Sequence, residues 1–524
     1  MGIREQLQQL KEGRVLNRAG GWVQPISDKE LLERFLILGN DQNTYYASAQ
    51  ELSVDALGRL LPYIKHNVTE AVDLIRHVSE QNLAPKNRYA VITLAIAACL
   101  AETDRERQAV RDAVPTVIRN GGELLLFASV IDAYGGWGRF KRGLIETWFN
   151  NKTPEHVALT MVKYPQRKGW AMKDVLRLAH PEPANNLVNM VYQWVTHPPA
   201  RIEEYEGEIG RLFKAKELLK QAETVDEVVR LIREYRPPRE AIPNIWFSSA
   251  EVWRELIPHT PVLGLLRALP VLTKQGVFDQ YGSEALSVIE RIFEKDYRNI
   301  HPLRWYYATD TYRKGAGAGQ VWSPNRSVTE LLERMTNKAF RDYMPDAEGL
   351  RILVAIDASG SMHGIIHYAA AMAYTFRNVA ELMLFDWRGR FGFHTDLLAS
   401  RSIFDLADGV WRVQNEKYKG GTDLTLPFTY LANSSKEYDA VVLFTDNETW
   451  ADNLPIDEYI ATVFHKHCPN TKVVVNAMTL TDYTVNATDR NTLNVVGFDP
   501  MVAEVTTWFI TGSGVGVGDN TDEE

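Results

Sequence analysis

The sequence predicts two architectures in one chain: an α-solenoid of stacked helix pairs over residues 1–347 and a doubly wound α/β domain over residues 348–524. Three observations carry this. Apolar residues recur at three and four up to about residue 345, as on one face of a helix. Beyond residue 348, short apolar runs alternate with helical patterns. The charge shifts with the texture: residues 348–524 hold 12 Lys and Arg against 24 Asp and Glu, while the remainder carries +3.

The helical part reads in order as "ELLERFLILGN", "AVDLIRHVSEQN", "RYAVITLAIAACLAET", "VRDAVPTVIRNGGELLLFASVIDAYGG" and "VDEVVRLIREY". Pro62, Pro85, Gly121-Gly122 and Pro154 punctuate these stretches, as expected of helix termini. Many short helices in succession suggest stacked helix pairs, with no clean repeat period. In the second part "RILVAID", "ELMLFD", "AVVLFTD" and "KVVVNAMTL" read as buried strands. "HGIIHYAAAMAYTFRNVA" and "PIDEYIATVFHKH" read as the helices between them. Continuously apolar strands alternating with helices imply a parallel sheet covered on both faces. The tail "GDNTDEE" is expected to fray.

Composition excludes several classes. With 524 residues, 45% hydrophobic and 24% charged, the chain is of ordinary globular type and large enough for two to four domains. No run of eighteen apolar residues is present, so no membrane span is expected, and "MGIREQLQQLKEGRVLNR" is too charged for a secretory signal. Cys99 and Cys468 show no metal spacing. A cytoplasmic protein is expected.

The chemistry-bearing stretch is "LVAIDASGSMHG", where an apolar strand runs into Asp357, Ser359 and Ser361. In open α/β sheets, ligands bind beyond the carboxyl ends of the strands. "KGGTDLTLP" brings Thr422 to the same edge, and "VVLFTDNETW" ends another strand on Asp446. Asp357, Ser359, Ser361, Thr422 and Asp446 supply two carboxylates and three hydroxyls. That set suits one hard divalent cation, Mg²⁺ rather than zinc, with waters completing an octahedron. A plain Ser-Gly-Ser turn is the bland alternative. The frames of a nucleophile elbow and a phosphate-binding P-loop are absent.

Basic residues interleave with aromatics in the helical part. "AYGGWGRFKRGLIETWF" holds Arg139, Lys141 and Arg142, and "MVKYPQRKGWAMKDVLRLAHPEP" holds Lys163, Arg167, Lys168, Lys173, Arg177 and His180. "HPLRWYYATDTYRKGAGAGQVW" adds Arg304, Arg313 and Lys314. Lys173 and Arg177 share a helix face, with His180 three residues further along it. Such a face can contact phosphates while Tyr164 and Trp170 stack on unpaired bases. A solvated amphipathic helix is the alternative.

Two resemblances sharpen these expectations. The D-x-S-x-S, GGTD and strand-ending TD set resembles the metal-ion-dependent adhesion site of von Willebrand factor A domains. That implies one Mg²⁺ and binding rather than catalysis. The segments "LLERFLILGNDQNTYY", "GGWGRFKRGLIETWF", "KYPQRKGWAMKDVLRLAHPEP" and "LRALPVLTKQGVF" resemble the TROVE module of the Ro autoantigen family. TROVE followed by an A domain is that family's order, and the likeness runs from about residue 25 to about 510. It implies HEAT-like helical repeats closed into a ring by the A domain. It also implies a monomeric, non-enzymatic protein of RNA quality control or small-RNA stabilisation. Y-like small noncoding RNA would bind the outer surface at Lys163, Arg167, Lys168, Lys173, Arg177 and His180. Arg139, Lys141 and Arg142 would line the rim or the hole, where single-stranded 3′ ends of misfolded or structured RNA enter. Some relatives tether an exoribonuclease through the RNA. Pro165 departs from the polar or basic residue expected there, and Tyr45-Tyr46 matches a family signature read as helix packing. The rival readings are a protein scaffold that binds an acidic partner residue at the metal, and an Mg²⁺-dependent hydrolase using Asp357 and Asp446.

Overall fold

The computed structural model describes residues 13–38, 49–84, 86–164, 166–167, 169–197, 207–317, 319–342, 344, 349–418, 420–450, 454–488, 490–497 and 501–511. Pro165, Lys168 and Tyr45-Tyr46 lie outside them. The chain forms two compact units. Residues 64–335 are helical, and those up to Tyr63 group with those from Thr336 onward.

In the helical unit, helices stack on the one two places along. Val68–Glu80 packs on Asp104–Val117, Arg88–Leu100 on Gly121–Gly135, and Asp104–Val117 on Arg139–Asn150. The sequence pattern dictates this. In Val68–Glu80 the buried set is Val68, Ala71, Val72, Ile75, Val78 and Ser79, one helical stripe. Arg88–Leu100 is apolar almost all round and is buried on most of its surface. Asn120 starts the Gly121–Gly135 helix by accepting hydrogen bonds from the Gly122 and Glu123 amides at 3.0 and 3.1 Å. Thr103 and Glu106 form a reciprocal capping box at the start of the preceding helix, Asp104–Val117.

The second unit is built on a six-stranded sheet: β1 Ile352–Asp357, β2 Ala380–Phe385, β3 Phe391–Phe393, β4 Ala440–Thr445, β5 Lys472–Ala477 and β6 Thr492–Val496. Their order is β6-β5-β4-β1-β2-β3, parallel except for β3. All four apolar runs expected as strands are strands; β3 and β6 were not anticipated. Every residue of β1 and β4 is buried, as a sheet covered on both faces requires. The connection order reverses between β1 and β4, whose register pairs Phe444 with Ile356. The carboxyl ends of these two strands therefore form the switch-point crevice. The expected long helices are interrupted. The first breaks into Gly360–Gly364, Ile366–Ala373 and Tyr374–Phe376, and the second carries a π-type turn at Ile460–Phe464.

An N-terminal hairpin, Val15–Leu16 with Trp22–Pro25, continues into a three-stranded ladder through Tyr483–Thr484. The following helix, Asp28–Leu38, sends Arg34 into the interior. This fully buried guanidinium donates to the carbonyls of Thr481 (3.1 Å) and Tyr483 (2.8 Å) and to Thr481 Oγ1.

Candidate functional site

The oxygen-lined edge comes first. Asp357 ends β1 and is fully buried. One carboxylate oxygen accepts from the Ser359 amide at 2.9 Å and the other from Thr445 Oγ1 at 3.1 Å. The Ser359 and Ser361 hydroxyls lie 3.1 Å apart. Asp446, just past β4, is also fully buried; its Oδ1 accepts from the Glu448 amide at 3.0 Å, while Oδ2 has no hydrogen-bond partner among the described residues. The Gly360 amide donates to the Gly420 carbonyl at 3.1 Å, joining the serine loop to the loop of buried Thr422. The Trp450 amide and Thr449 hydroxyl donate to the Thr422 carbonyl, joining that loop to the one after β4. The three loops expected to converge do so. Asp423 does not join them: it accepts from Thr425 as a turn cap.

The electrostatics of this edge favour a cation. Burial, with the neighbouring Asp446 charge, pushes Asp357 well above the usual carboxylate range. Burial pushes Asp446 up to about 6, opposed by the Ser361 hydroxyl. Burial and Asp446 together push Glu448 up to about 7. Glu448 accepts from the Tyr483 hydroxyl and from the Ala19 amide. Among the described residues no group of three or more His, Cys, Asp or Glu is placed to hold a metal, so any ion here is held by two carboxylates and hydroxyls. The residues fit a magnesium-type ion on one observation: among the described residues a buried Asp446 carboxylate oxygen lacks a hydrogen-bond partner, at the edge that also carries Asp357 and the Ser359–Ser361 hydroxyl pair.

Supporting groups escaped the sequence reading. Asp386, after β2, is buried and accepts from Arg390 and from the Trp387 and Gly420 amides. It fixes the glycine loop. Gln414 donates to the Ser359 carbonyl at 2.9 Å and holds the serine loop from below. Asn17 of the N-terminal hairpin donates to the Thr449 carbonyl at 2.8 Å and the Asn447 carbonyl at 3.3 Å. The D in "ELMLFD" was visible as a strand end; nothing local marks Asn17 or Gln414.

The basic surface is built from two packed helices, Arg139–Asn150 and Met172–Ala179. In the second, Met172, Val175, Leu176 and Ala179 face inward, which leaves Lys173 half-buried and Arg177 exposed, four apart. His180 departs from the expected face. The helix ends at Ala179, and His180 sits in the left-handed region at φ +47. The reason is legible: Pro181 follows, and its ring disfavours helical backbone at the preceding residue. Between Lys163 and this helix, strands Gln166–Arg167 and Trp170–Ala171 form a short hairpin. Trp170 meets Trp137 with centroids 5.8 Å apart, so the two basic segments expected from sequence are neighbours. Arg139 and Arg142 are exposed at the start of their helix. Lys141 serves a different purpose: it donates to the Gly135 carbonyl at 2.7 Å and caps the preceding helix. Arg313 and Lys314 pair with Glu333 (3.0 Å) and Asp310 (2.6 Å).

Lys163 and Arg304 are placed elsewhere, in a cleft of about 910 Å³ in the helical unit, together with Arg211, Arg236, Arg239 and Arg267. The last four come from separate helices and connections and form no motif in sequence.

Comparisons with known proteins agree with this geometry. A TROVE domain model matches residues 15–233, and a Ro60 vWA domain model matches residues 351–510. The chain is 31% identical over 523 residues to the RNA-binding protein RO60 of Deinococcus radiodurans, covering 97% of both. It is 26% identical over 609 residues to the RNA-binding protein RO60 of Caenorhabditis elegans, covering 97% of this chain and 92% of that one. The crystal structure of the Deinococcus radiodurans RO (RSR) protein superposes with a TM-score of 0.67 at 29% identity, over 93% of this chain and 100% of that one. With both domain models matched in order and a relative aligned nearly end to end, this chain belongs to the Ro60 family, a TROVE domain followed by a Ro60-type von Willebrand A domain.

Proposed function

We propose that this protein binds RNA without catalysing its turnover, taking a Y-like small noncoding RNA on the basic surface of the TROVE domain. The carrying observation is the Met172–Ala179 helix, which buries one face completely and offers Lys173 and Arg177 beside Arg139, Arg142 and the Trp137–Trp170 pair. Cations at helical spacing neutralise phosphates, and aromatic rings nearby accept unpaired bases. The names of the D. radiodurans and C. elegans relatives support RNA as the ligand class. Selectivity comes from RNA shape and single-strandedness rather than a base-edge code. In the cell the protein acts as a monomer in the cytoplasm, in small-RNA stabilisation or quality control of misfolded RNA with single-stranded 3′ ends, and an exoribonuclease joins through the bound RNA. No described helix is long and apolar enough to cross a membrane.

The A domain holds one Mg²⁺ in this reading. Asp357, Ser359, Ser361, Thr422 and Asp446 are its protein-side donors, directly or through water. The ion supplies a Lewis-acidic position for an incoming oxygen ligand. Asp386 and Gln414 orient the loops. A second reading, an A domain that captures a partner's carboxylate, is favoured by the half-exposed Trp450 packed against Gly421 and Trp387 at the rim.

The Lys173→Glu, Arg177→Glu pair tests the RNA reading. Gel shifts with a structured RNA at moderate salt should vanish while circular dichroism is unchanged. Unaltered shifts would remove this helix from the interface.

A further inference from the structure

The A-domain sheet ends on β3, and its free side carries groups that neither the metal crevice nor the basic surface uses. In the β2–β3 ladder the His394 amide donates to the Leu382 carbonyl at 2.8 Å, and the Asp386 amide to the Arg390 carbonyl at 3.1 Å. Gly392, opposite Leu384, therefore directs its backbone groups toward β2. Phe391 and Phe393, opposite Phe385 and Met383, turn their amides and carbonyls the other way. No described residue bonds to those outward groups. At the opposite edge, β6 has the Asp28–Leu38 and Met501–Thr511 helices packed on it.

The side chains do not blunt this edge. Phe391 is 41% and Phe393 38% exposed, where a bare edge usually carries Lys, Pro or a bulge. Both rings lie against Tyr430, with centroids 5.8 and 5.0 Å away, so three rings make an apolar strip along the strand. The charge beside the strip is positive, in a domain with 12 Lys and Arg against 24 Asp and Glu. Arg388 is exposed in the turn between β2 and β3, its guanidinium 4.0 Å from the Trp387 ring centroid. Lys417 is exposed at the end of the Ile403–Lys417 helix; burial and then the Lys417 charge hold His394 below its ordinary value, opposed by Asp396. Neither Arg388 nor Lys417 has an ion-pair partner among the described residues. Arg390 and Lys436 are already paired, with Asp386 and with Glu381.

We propose that the β3 edge is a docking strip for an extended, acidic segment of a partner protein, which adds to the sheet as a further strand. The outward donors and acceptors of Phe391 and Phe393 recur every second residue, roughly 7 Å apart, a repeat that another strand matches. Side chains alternate between the faces of a strand, so Phe391 and Phe393 share one face while Gly392 and His394 share the other. An incoming strand that alternates apolar and acidic residues satisfies both: its apolar side chains lie on the ring strip, and its carboxylates face Lys417 and, at the turn, Arg388. The site needs neither the metal nor the RNA surface.

The test uses the full chain and fluorescence anisotropy with two labelled peptides of about eight residues, one alternating Val with Asp or Glu and one alternating Val with Lys. One variant is Phe393→Pro, which removes an outward amide and no ladder bond. The other is Arg388→Asn with Lys417→Gln; Asn tolerates the left-handed backbone at position 388, φ +54. Wild-type protein should bind the acidic peptide in Mg²⁺ and in chelator alike, and not the Lys peptide. Phe393→Pro should weaken that binding about tenfold. The double variant should weaken it and flatten its salt dependence. Saturating acidic peptide should slow hydrogen exchange at the Phe391 and Phe393 amides. No binding of the acidic peptide, equal binding of both peptides, or unslowed exchange would overturn the strip. So would unchanged affinity in a Phe393→Pro variant of wild-type melting temperature. Binding lost in chelator but intact in Phe393→Pro would place the carboxylate at the metal, sinking the strip and leaving the carboxylate-capture reading standing. Displacement of the peptide by a single-stranded RNA whose own binding is lost in Phe393→Pro would make the edge a nucleic-acid surface and also overturn the assignment.

Discussion

Replacing Asp446 by Asn should stabilise the metal-free protein and abolish its response to Mg²⁺. Asp446 and Asp357 are both fully buried at one crevice. In the folded chain burial pushes the Asp446 carboxyl up to about 6, from its ordinary 3.8. The folded state therefore binds more protons than the unfolded state between these values. Stability is full below 3.8 and declines as pH rises through about 6. At one pH unit per 1.36 kcal/mol, the loss by pH 7 is about 3 kcal/mol. Asn cannot ionise, yet its oxygen can still accept from the Glu448 amide. At pH 7 in chelator, Asp446→Asn should gain up to about 3 kcal/mol, several degrees for a domain of this size. At pH 4 the two proteins should melt together. Magnesium at 100 times its Kd should stabilise the wild type by about 2.7 kcal/mol and the variant not at all. The assay is thermal unfolding of the A domain, followed through the Trp387–Trp450 pair that packs against the glycine loop. Equal Mg²⁺ shifts in both proteins, or a metal-free variant less stable than wild type at pH 7, would refute the reasoning.

Other perturbations follow from the same geometry. Arg34→Met strands the Thr481 and Tyr483 carbonyls in the interior, and chemical denaturation should register a loss of about 2–5 kcal/mol. Gly21→Ala places a Cβ 2.0 Å from the Thr449 carbonyl oxygen, a backbone atom that cannot swing aside; calorimetry should show a lower melting temperature and titration a weaker Mg²⁺ affinity. In the Lys173→Glu, Arg177→Glu pair, the residual RNA binding at low salt should show a log–log slope shallower by roughly 2 units if both lysine and arginine touch duplex phosphates.

What the sequence revealed was local, and what it concealed was long-range. Four buried strands were legible because "LVAID" and "VVLFTD" are apolar on both faces and stop on an acid. The switch point followed, and with it Asp357 and Asp446. The edge strand Phe391–Phe393 was hidden because three residues carry no period. Asp386 stood at a recognised strand end, but its role depends on Arg390 and the Gly420 amide, which only the folded loop supplies. His180 was misplaced because helical counting was carried into a residue that precedes proline. The five arginines of the cleft span residues 211 to 304 on or beside five elements, so no short window of sequence contains them together. Lys141 looked like a surface cation until its ammonium was found on the Gly135 carbonyl.

The hairpin at Val15–Pro25 bears on how the molecule is made. Its bonds to Asn447, Glu448 and Thr449 and its ladder with Tyr483–Thr484 join segments separated by more than 425 residues. On a ribosome, the hairpin has to wait, uncommitted, until the segments it pairs with, more than 425 residues further along, have been translated. A fragment cut at residue 348 would lack those contacts and leave the Tyr483 ladder edge bare, an invitation to self-association. For this protein, the genetic order of the modules is a poor guide to where it can be divided.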